Sequence, residues 1–387
     1  MITLFLVPSF YAFISLLIAY IFTLVTVDGV CLSVTHTVMI TAIMLNFSAT
    51  ILFKREYSNL AKASVYCKDR SSRWATFFFI LGAIGVFQYL ASLKGFFGSY
   101  TDFFSVLLSS AHEIRWANAE LSNAPFLIYF GWVGLFVYFA NPGTSKKAKK
   151  FKILILLLIA INFSGNLLFL DRTRPFWLVF FCLMAYVYRN KASTGRILMG
   201  VALVVPLLVA FFWGIGSFIG KISGENFIQN IKIYLTSGVL YLNFIIENDL
   251  IDPNGFRLIY PIGKVLQQLG VDVFVPSQIL PFYNVPFLTN VGTYMEPAYT
   301  DAGPIGLVFF LIFHSFVLNY VCLWCLKSKN LIPSVFWVSI CFCGLLAFFT
   351  PKFNTTFVYF VLMLMVVEFI FNVAKSALHK TSPKSVV

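Results

Sequence analysis

Apolar runs follow one another along almost the whole chain, at about 4–25, 30–53, 75–93, 125–141, 153–170, 175–188, 197–219, 304–326, 331–350 and 357–374. Several reach the roughly 20 residues with which an α-helix crosses a bilayer. Only 11% of the 387 residues are charged and 59% are hydrophobic. A soluble chain could not cover its surface with so few charges. The expected fold is all-α, a polytopic membrane bundle of about ten transmembrane helices over residues 1–387. The first run has no basic residue before it and no small-x-small cleavage site before Asp28, so it reads as a retained helix and not a signal peptide. The runs 153–170 and 175–188 are short and separated only by the stretch DRTR.

Lys and Arg set the orientation. They gather at Lys54, Arg55, Lys62, Lys68, Arg70 and Arg73, at Lys146, Lys147, Lys149, Lys150 and Lys152, and at Arg189, Lys191 and Arg196. Further on come Lys327, Lys329, Lys375, Lys380 and Lys384. With ten spans these fall on one side, which by the positive-inside rule is the cytoplasm, and both termini lie there too. Of fifteen acids only Glu56 and Asp69 fall in those loops; Glu368 lies in the last span, and the other twelve fall outside. The net charge of +13 is then mostly a topology signal and gives no argument for nucleic acid.

Motifs narrow the chemistry mainly by exclusion. No Walker A motif, HExxH or GxSxG occurs, and Ile219 occupies the third glycine position of a GxGxxG-like stretch at 214–219. Seven cysteines, mostly inside spans, give no disulfide framework. Cys322 and Cys325 form a CxxC without a second pair or a nearby His, and read as packing residues. Asn354-Thr355-Thr356 matches a glycosylation acceptor in form alone.

Three external stretches can carry chemistry. The interfacial loop 94–124 contains a Thr/Asp start and helically spaced apolar residues, which predict an amphipathic helix lying in the membrane interface. His112, Glu113, Arg115 and Trp116 cluster there; a snorkelling Arg beside a headgroup-level Trp is the plainer reading. The second is 162–177, where Asn162, Ser164 and Asn166 precede Asp171, Arg172, Thr173 and Arg174 in a short hairpin. External arginines run against the charge bias, and an Arg fork suits phosphate oxygens. An Asp171–Arg pair that only holds the hairpin stays open. The third is the long external loop 220–303, with a helical stretch, a turn leading to Arg257, and a polar, aromatic end, LTNVGTYMEPAYTDAGPIG. In that end Tyr294 and Tyr299 could stack on sugar rings, and Asp301 can cap the helix entered at Pro304. The same end also fits an ordinary re-entry turn. His314, about ten residues into that helix, is expected roughly 15 Å below the rim.

The pattern Asn290, Thr293, Tyr294, Pro297, Tyr299, Asp301, Gly303 and Gly306, entering a span, resembles the Wzy-type repeat-unit polymerases of O-antigen and capsule synthesis. The stretch YLTSGVLYLNFI at 234–245, an Arg opening a mid-chain span in TRPFW, and the plan of many spans with one large external loop also resemble that family. Ala302 stands where the family often has an aromatic, and the only Arg-x10-Gly spacing, Arg189 to Gly200, falls on the cytoplasmic side.

The resemblance implies a glycosyltransferase of the bacterial inner membrane with a periplasmic active face. Its donor is a glycan on undecaprenyl diphosphate and its acceptor a second lipid-linked repeat unit. It implies Glu296, Asp301, His112 and Glu113 as candidate catalytic groups. Arg172, Arg174, Arg115 and Arg257 are the candidate diphosphate ligands, and Tyr294, Tyr299 and Trp116 the candidate glycan contacts. No cofactor and no obligatory metal is implied, since Arg can neutralise the diphosphate. The partners implied are the lipid-linked oligosaccharides, the bilayer, and a flippase and chain-length regulator of the same pathway. An O-antigen ligase shares the donor and differs in acceptor. A flippase or other transporter should show more even loops, pseudo-symmetry and central charges.

Overall fold

The computed structural model describes residues 2–27, 32–62, 71–109, 126–140, 152–168, 173–190, 214, 227–277, 280–328 and 330–381. After a 3₁₀ turn at Ile2–Leu6 come α1 (Pro8–Thr26), α2 (Ser33–Lys62), α3 (Ser71–Phe97), α4 (Tyr100–Ser109), α5 (Ile128–Ala140), α6 (Lys152–Leu167) and α7 (Thr173–Asn190). Then follow α8 (Phe227–Glu247), α9 (Tyr260–Gln268), the strands β1 (Tyr283–Asn284) and β2 (Leu288–Thr289), and α10 (Glu296–Ile312). A π-helical turn at Phe313–Val317 leads into α11 (Leu318–Lys327), and α12 (Leu331–Leu345) and α13 (Thr356–Thr381) close the chain. Among the described residues, five helical stretches are long and apolar enough to cross a membrane, and four apolar helices are shorter. The expected span 197–219 lies outside the described residues, apart from Gly214.

Lipid-facing chemistry is visible in what the helices leave outside. Ile51, Leu52, Phe309 and Phe371 are exposed large hydrophobics, and many more line the same helices. Contiguous apolar surface of this kind needs an apolar surrounding. The interior divides into a large cluster built by α3, α5, α7, α11, α12 and α13, and a second built by α1, α2, α8 and α10. Cys322 and Cys325 are buried in the first of these.

Where little hydrophobic force acts between helices, close backbone approach and interhelical hydrogen bonds bind them. The α3–α5–α6 junction follows this rule. A Cβ on Gly82 or Gly131 would overlap the Asn162 side chain. Asn162 Nδ2 donates to the Phe79 carbonyl (3.1 Å), and the Trp132 indole donates to Asn166 Oδ1 (2.8 Å). The polar residues of the span 153–170 therefore join helices. At the other end of α2 and α11, Lys327 Nζ lies 3.7 Å from Glu56 Oε2, both about half exposed. A pair so exposed stabilises little, but it brings those two helix ends to one face.

Two features depart from the expectation. The stretch 220–303, expected as a long external loop, contributes to the bundle interior. Its helix α8 packs against α1 and α2, with Val239, Tyr241, Leu242 and Ile245 in the second cluster. The stretch Thr236-Ser237-Gly238 makes this fit. Both hydroxyls bond to carbonyls one turn back, and a Cβ on Gly238 would overlap the Phe348 carbonyl oxygen. Gly238→Ala is therefore expected to cut the yield of monodisperse protein severely, read as the monomer peak in fluorescence-detected size exclusion. An unchanged peak would show that α8 does not seat on the 347–349 turn.

The second departure is a reversal. By length and composition Glu296–Lys327 counts as one span, but the backbone breaks at Ala302 (φ −144°, ψ 16°) and Gly303 (φ 61°). The left-handed value at Gly303 suits a residue without a Cβ. The segment on either side folds back: a Cβ on Gly306 would lie 2.9 Å from the Ala298 carbonyl oxygen, and the Tyr294 ring lies 5.3 Å from Phe310 and 4.7 Å from His314. Residues eight to twenty positions apart meet only if the two arms run side by side. The chain before the span entered at Pro304 thus enters the bundle, turns, and climbs back as a short helix to the bend. His314 is not far below the polar segment, as a straight reading requires, but in contact with it.

Candidate functional site

This folded-back arm carries the site. The hairpin β1–β2, in register Tyr283↔Thr289 and Asn284↔Leu288, delivers the chain to it, and the Tyr294 N–H donates to the Ala347 carbonyl at 2.8 Å. Glu296 then opens the short helix and is only 1% exposed. A carboxylate taken out of water needs an opposite charge and hydrogen bonds to replace hydration. Its Oε1 receives both, from Arg257 Nη1 at 3.3 Å and from the Thr300 hydroxyl, one turn on, at 3.1 Å. Its Oε2 is buried and has no hydrogen-bond partner among the described residues.

Arg257 is held at three points. Its backbone N–H donates to Asp301 Oδ1 (3.2 Å), its carbonyl accepts from Asn354 Nδ2 (2.7 Å), and its guanidinium faces Glu296. The side chain is 16% exposed, so the fork is fixed in place yet reachable. A guanidinium has five N–H donors in a rigid plane, and the Glu296 contact engages one end of it. Asp301 does not cap the helix at Pro304. Its two oxygens accept the backbone N–H groups of Arg257 and Leu258 (2.7 Å), because the reversal turns the carboxylate toward the 252–258 turn. The same turn is tied down by the Asp252 N–H on the Thr300 carbonyl at 2.7 Å.

The two tyrosines expected to stack on sugar are buried instead. Tyr294 is 1% exposed, its hydroxyl accepting from Asn46 Nδ2 at 3.1 Å, and Tyr299 donates to Asp249 Oδ1 at 3.2 Å. An aromatic with a polar tip is equally suited to a buried position with a partner for the hydroxyl, and the fold-back supplies that position. Tyr241 stands near Glu296; burial first, then the carboxylate, push its phenol upward, so it remains a neutral donor to the Pro281 carbonyl.

A second arginine lies near the chain segment that holds Arg257. The guanidinium of Arg174, at the start of α7, lies 5.9 Å from the ring centres of Tyr129 and Trp132, a cation–π arrangement. Both rings pack on Phe357 in the first turn of α13, at 5.3 and 4.7 Å. Asn354, three residues earlier, holds Arg257. Arg174 and Arg257 therefore flank the same 353–357 turn, from opposite halves of the chain. Pro175, two residues into α7, falls in the first turn, where a missing N–H costs nothing.

Arg172, Arg115, His112, Glu113 and Trp116 lie outside the described residues. Of the loop 94–124, residues 94–109 are described: the end of α3, a bend at 98–99 and α4. The N-terminus of α4 is held by Ser99, whose hydroxyl accepts the Asp102 N–H at 3.0 Å, so the cap stands two residues before the expected Thr/Asp start. Asn354, Thr300, Asp249 and Tyr241 were not singled out by sequence. Thr300 was legible as the residue one helical turn after Glu296; Asn354 carried only the glycosylation pattern. No family model, curated protein or solved structure matches the chain.

Proposed function

We propose that the chain is a membrane glycosyltransferase that joins lipid-linked oligosaccharide repeat units of a surface polysaccharide, O-antigen or capsule. The observation that carries this reading is the buried Glu296–Arg257 pair with its one bare carboxylate oxygen, set in a folded-back arm. Such transfer needs cations for a diphosphate and a base for a sugar hydroxyl. In this reading Arg257 and Arg174 take the diphosphate oxygens. Glu296 Oε2 accepts the proton of the acceptor hydroxyl as its oxygen bonds to the anomeric carbon of the donor. The bond from that carbon to the diphosphate oxygen breaks, and undecaprenyl diphosphate leaves with the electron pair. Asp301 and Asn354 position Arg257 and touch no reacting atom. Arg172, Arg115, His112 and Glu113 remain candidates on the same face, taken as periplasmic from the distribution of Lys and Arg.

Deletion of the gene followed by gel separation of the surface polysaccharide tests the assignment. Loss of a polymerase leaves lipid A core carrying one repeat unit. Polymer retained on undecaprenyl diphosphate would assign the chain as a ligase instead, and neither product at the surface would make it a flippase.

A further inference from the structure

The π turn at Phe313–Val317 carries unpartnered polar atoms in the bundle interior. His314 is 2% exposed, and its ring is edged by Tyr294 (4.7 Å), Phe310 (5.7 Å) and Phe353 (6.4 Å). Neither of its ring nitrogens has a hydrogen-bond partner among the described residues, and neither has the Ser315 hydroxyl beside it. Across the interface, on α2, Asn46 donates to the Tyr294 hydroxyl and to the Ala42 carbonyl, while its Oδ1 is also without a partner. The π turn packs on α2, so these atoms share one interface.

Four bare polar atoms in an apolar interior are costly, and buried polar groups are as a rule hydrogen-bonded. A phenylalanine at 314 would fill nearly the same shape with no such cost. π turns are rare and favour functional positions, and an ionisable residue inside a membrane helix is by default a functional one. A neutral imidazole offers one donor and one acceptor, the amide oxygen an acceptor, and the hydroxyl either. None of these carries a formal charge, so the complementary ligand is small, neutral, and both donor and acceptor.

We infer that the α2–Tyr294–π-turn interface is a binding site for water, held by His314, Ser315 and Asn46. It is a polar site inside the bundle, and its Tyr294 wall stands two residues before Glu296. The inference does not depend on what Glu296 does.

The test is His314→Phe in purified protein in lipid nanodiscs. A dry interface would be relieved by the change, whereas a water site loses its main anchor and strands Ser315 and Asn46. The expected result is a lower apparent melting temperature than wild type, with partial recovery in His314→Gln, which keeps one donor and one acceptor. Should neither variant fold, the wild-type protein labelled with ¹⁵N-histidine answers alone: the buried imidazole should show nitrogen shifts of hydrogen-bonded positions. A melting temperature for His314→Phe equal to or above wild type, or free-nitrogen shifts in the wild type, would overturn the assignment.

Discussion

Glu296→Gln is expected to give a chain that inserts, folds and makes no polymer. The substitution keeps the volume and an acceptor oxygen for Arg257 Nη1 and for the Thr300 hydroxyl, the two partners of the native carboxylate. It removes the group able to take a proton. A positioned general base contributes about 10²–10⁴-fold, so turnover on lipid-linked repeat units should fall by that amount. The monomer peak in size exclusion should stay near wild type, because the side chain is buried and its shape is unchanged. Asp301→Asn is the informative contrast. Its two oxygens serve backbone N–H groups, and an amide retains only one oxygen. Its loss should therefore appear in stability and in the seating of Arg257 as well as in rate. Wild-type polymer from Glu296→Gln at matched membrane levels would remove Glu296 as the base.

The helices were largely legible, because a bilayer admits few solutions and a long apolar run states its own answer. The ends were less so. α2 runs on to Lys62, past the expected end at 53, because a helix can leave the membrane with Lys54, Arg55 and Glu56 solvated on its surface. α8 was legible as a helix, but its place in the bundle was not, because Lys232 and Asn243 dilute its hydropathy and its seating depends on Gly238 meeting a carbonyl from α12's far end, a tertiary fact.

Of the candidate site, the charged members around Glu296 were legible and their geometry was not. Glu296, Asp301 and Arg257 stood out as charges in an apolar chain. What hydropathy could not reveal is the fold-back at Ala302–Gly303. Ala-Gly-Pro signals a break, but a break alone does not say whether the arm before it lies on the rim or turns inward. That difference buries Tyr294 and Tyr299, sends Asp301 to the 257–258 backbone, and sets His314 against Tyr294. The stack of Arg174 on rings that pack against Phe357 likewise needs three segments far apart in sequence.

Arg257 should show two separable losses. Arg257→Ala leaves Glu296 buried without its counter-charge, and breaking a buried pair from one side costs about 3–5 kcal/mol. With 16% of the Arg side chain exposed, water can enter and the lower end applies. Arg257→Lys keeps the charge beside Glu296, so stability should hold. An ammonium cannot grip Glu296 and a diphosphate at once as a planar fork does. Each charge-assisted bond lost is worth about 1.5–3 kcal/mol, and a decade of rate is about 1.4 kcal/mol. Turnover of Arg257→Lys should thus fall about tenfold or more with the melting temperature unchanged. The double variant Arg257→Ala with Glu296→Gln completes the cycle. With no carboxylate left to strand, it should recover part of the stability lost in Arg257→Ala, a coupling of about 0.5–3 kcal/mol, while remaining inactive. Thermal unfolding in nanodiscs and polymer length distributions read the two losses separately. Strictly additive stabilities would mean that the pair is not coupled, and wild-type turnover in Arg257→Lys would place the diphosphate elsewhere.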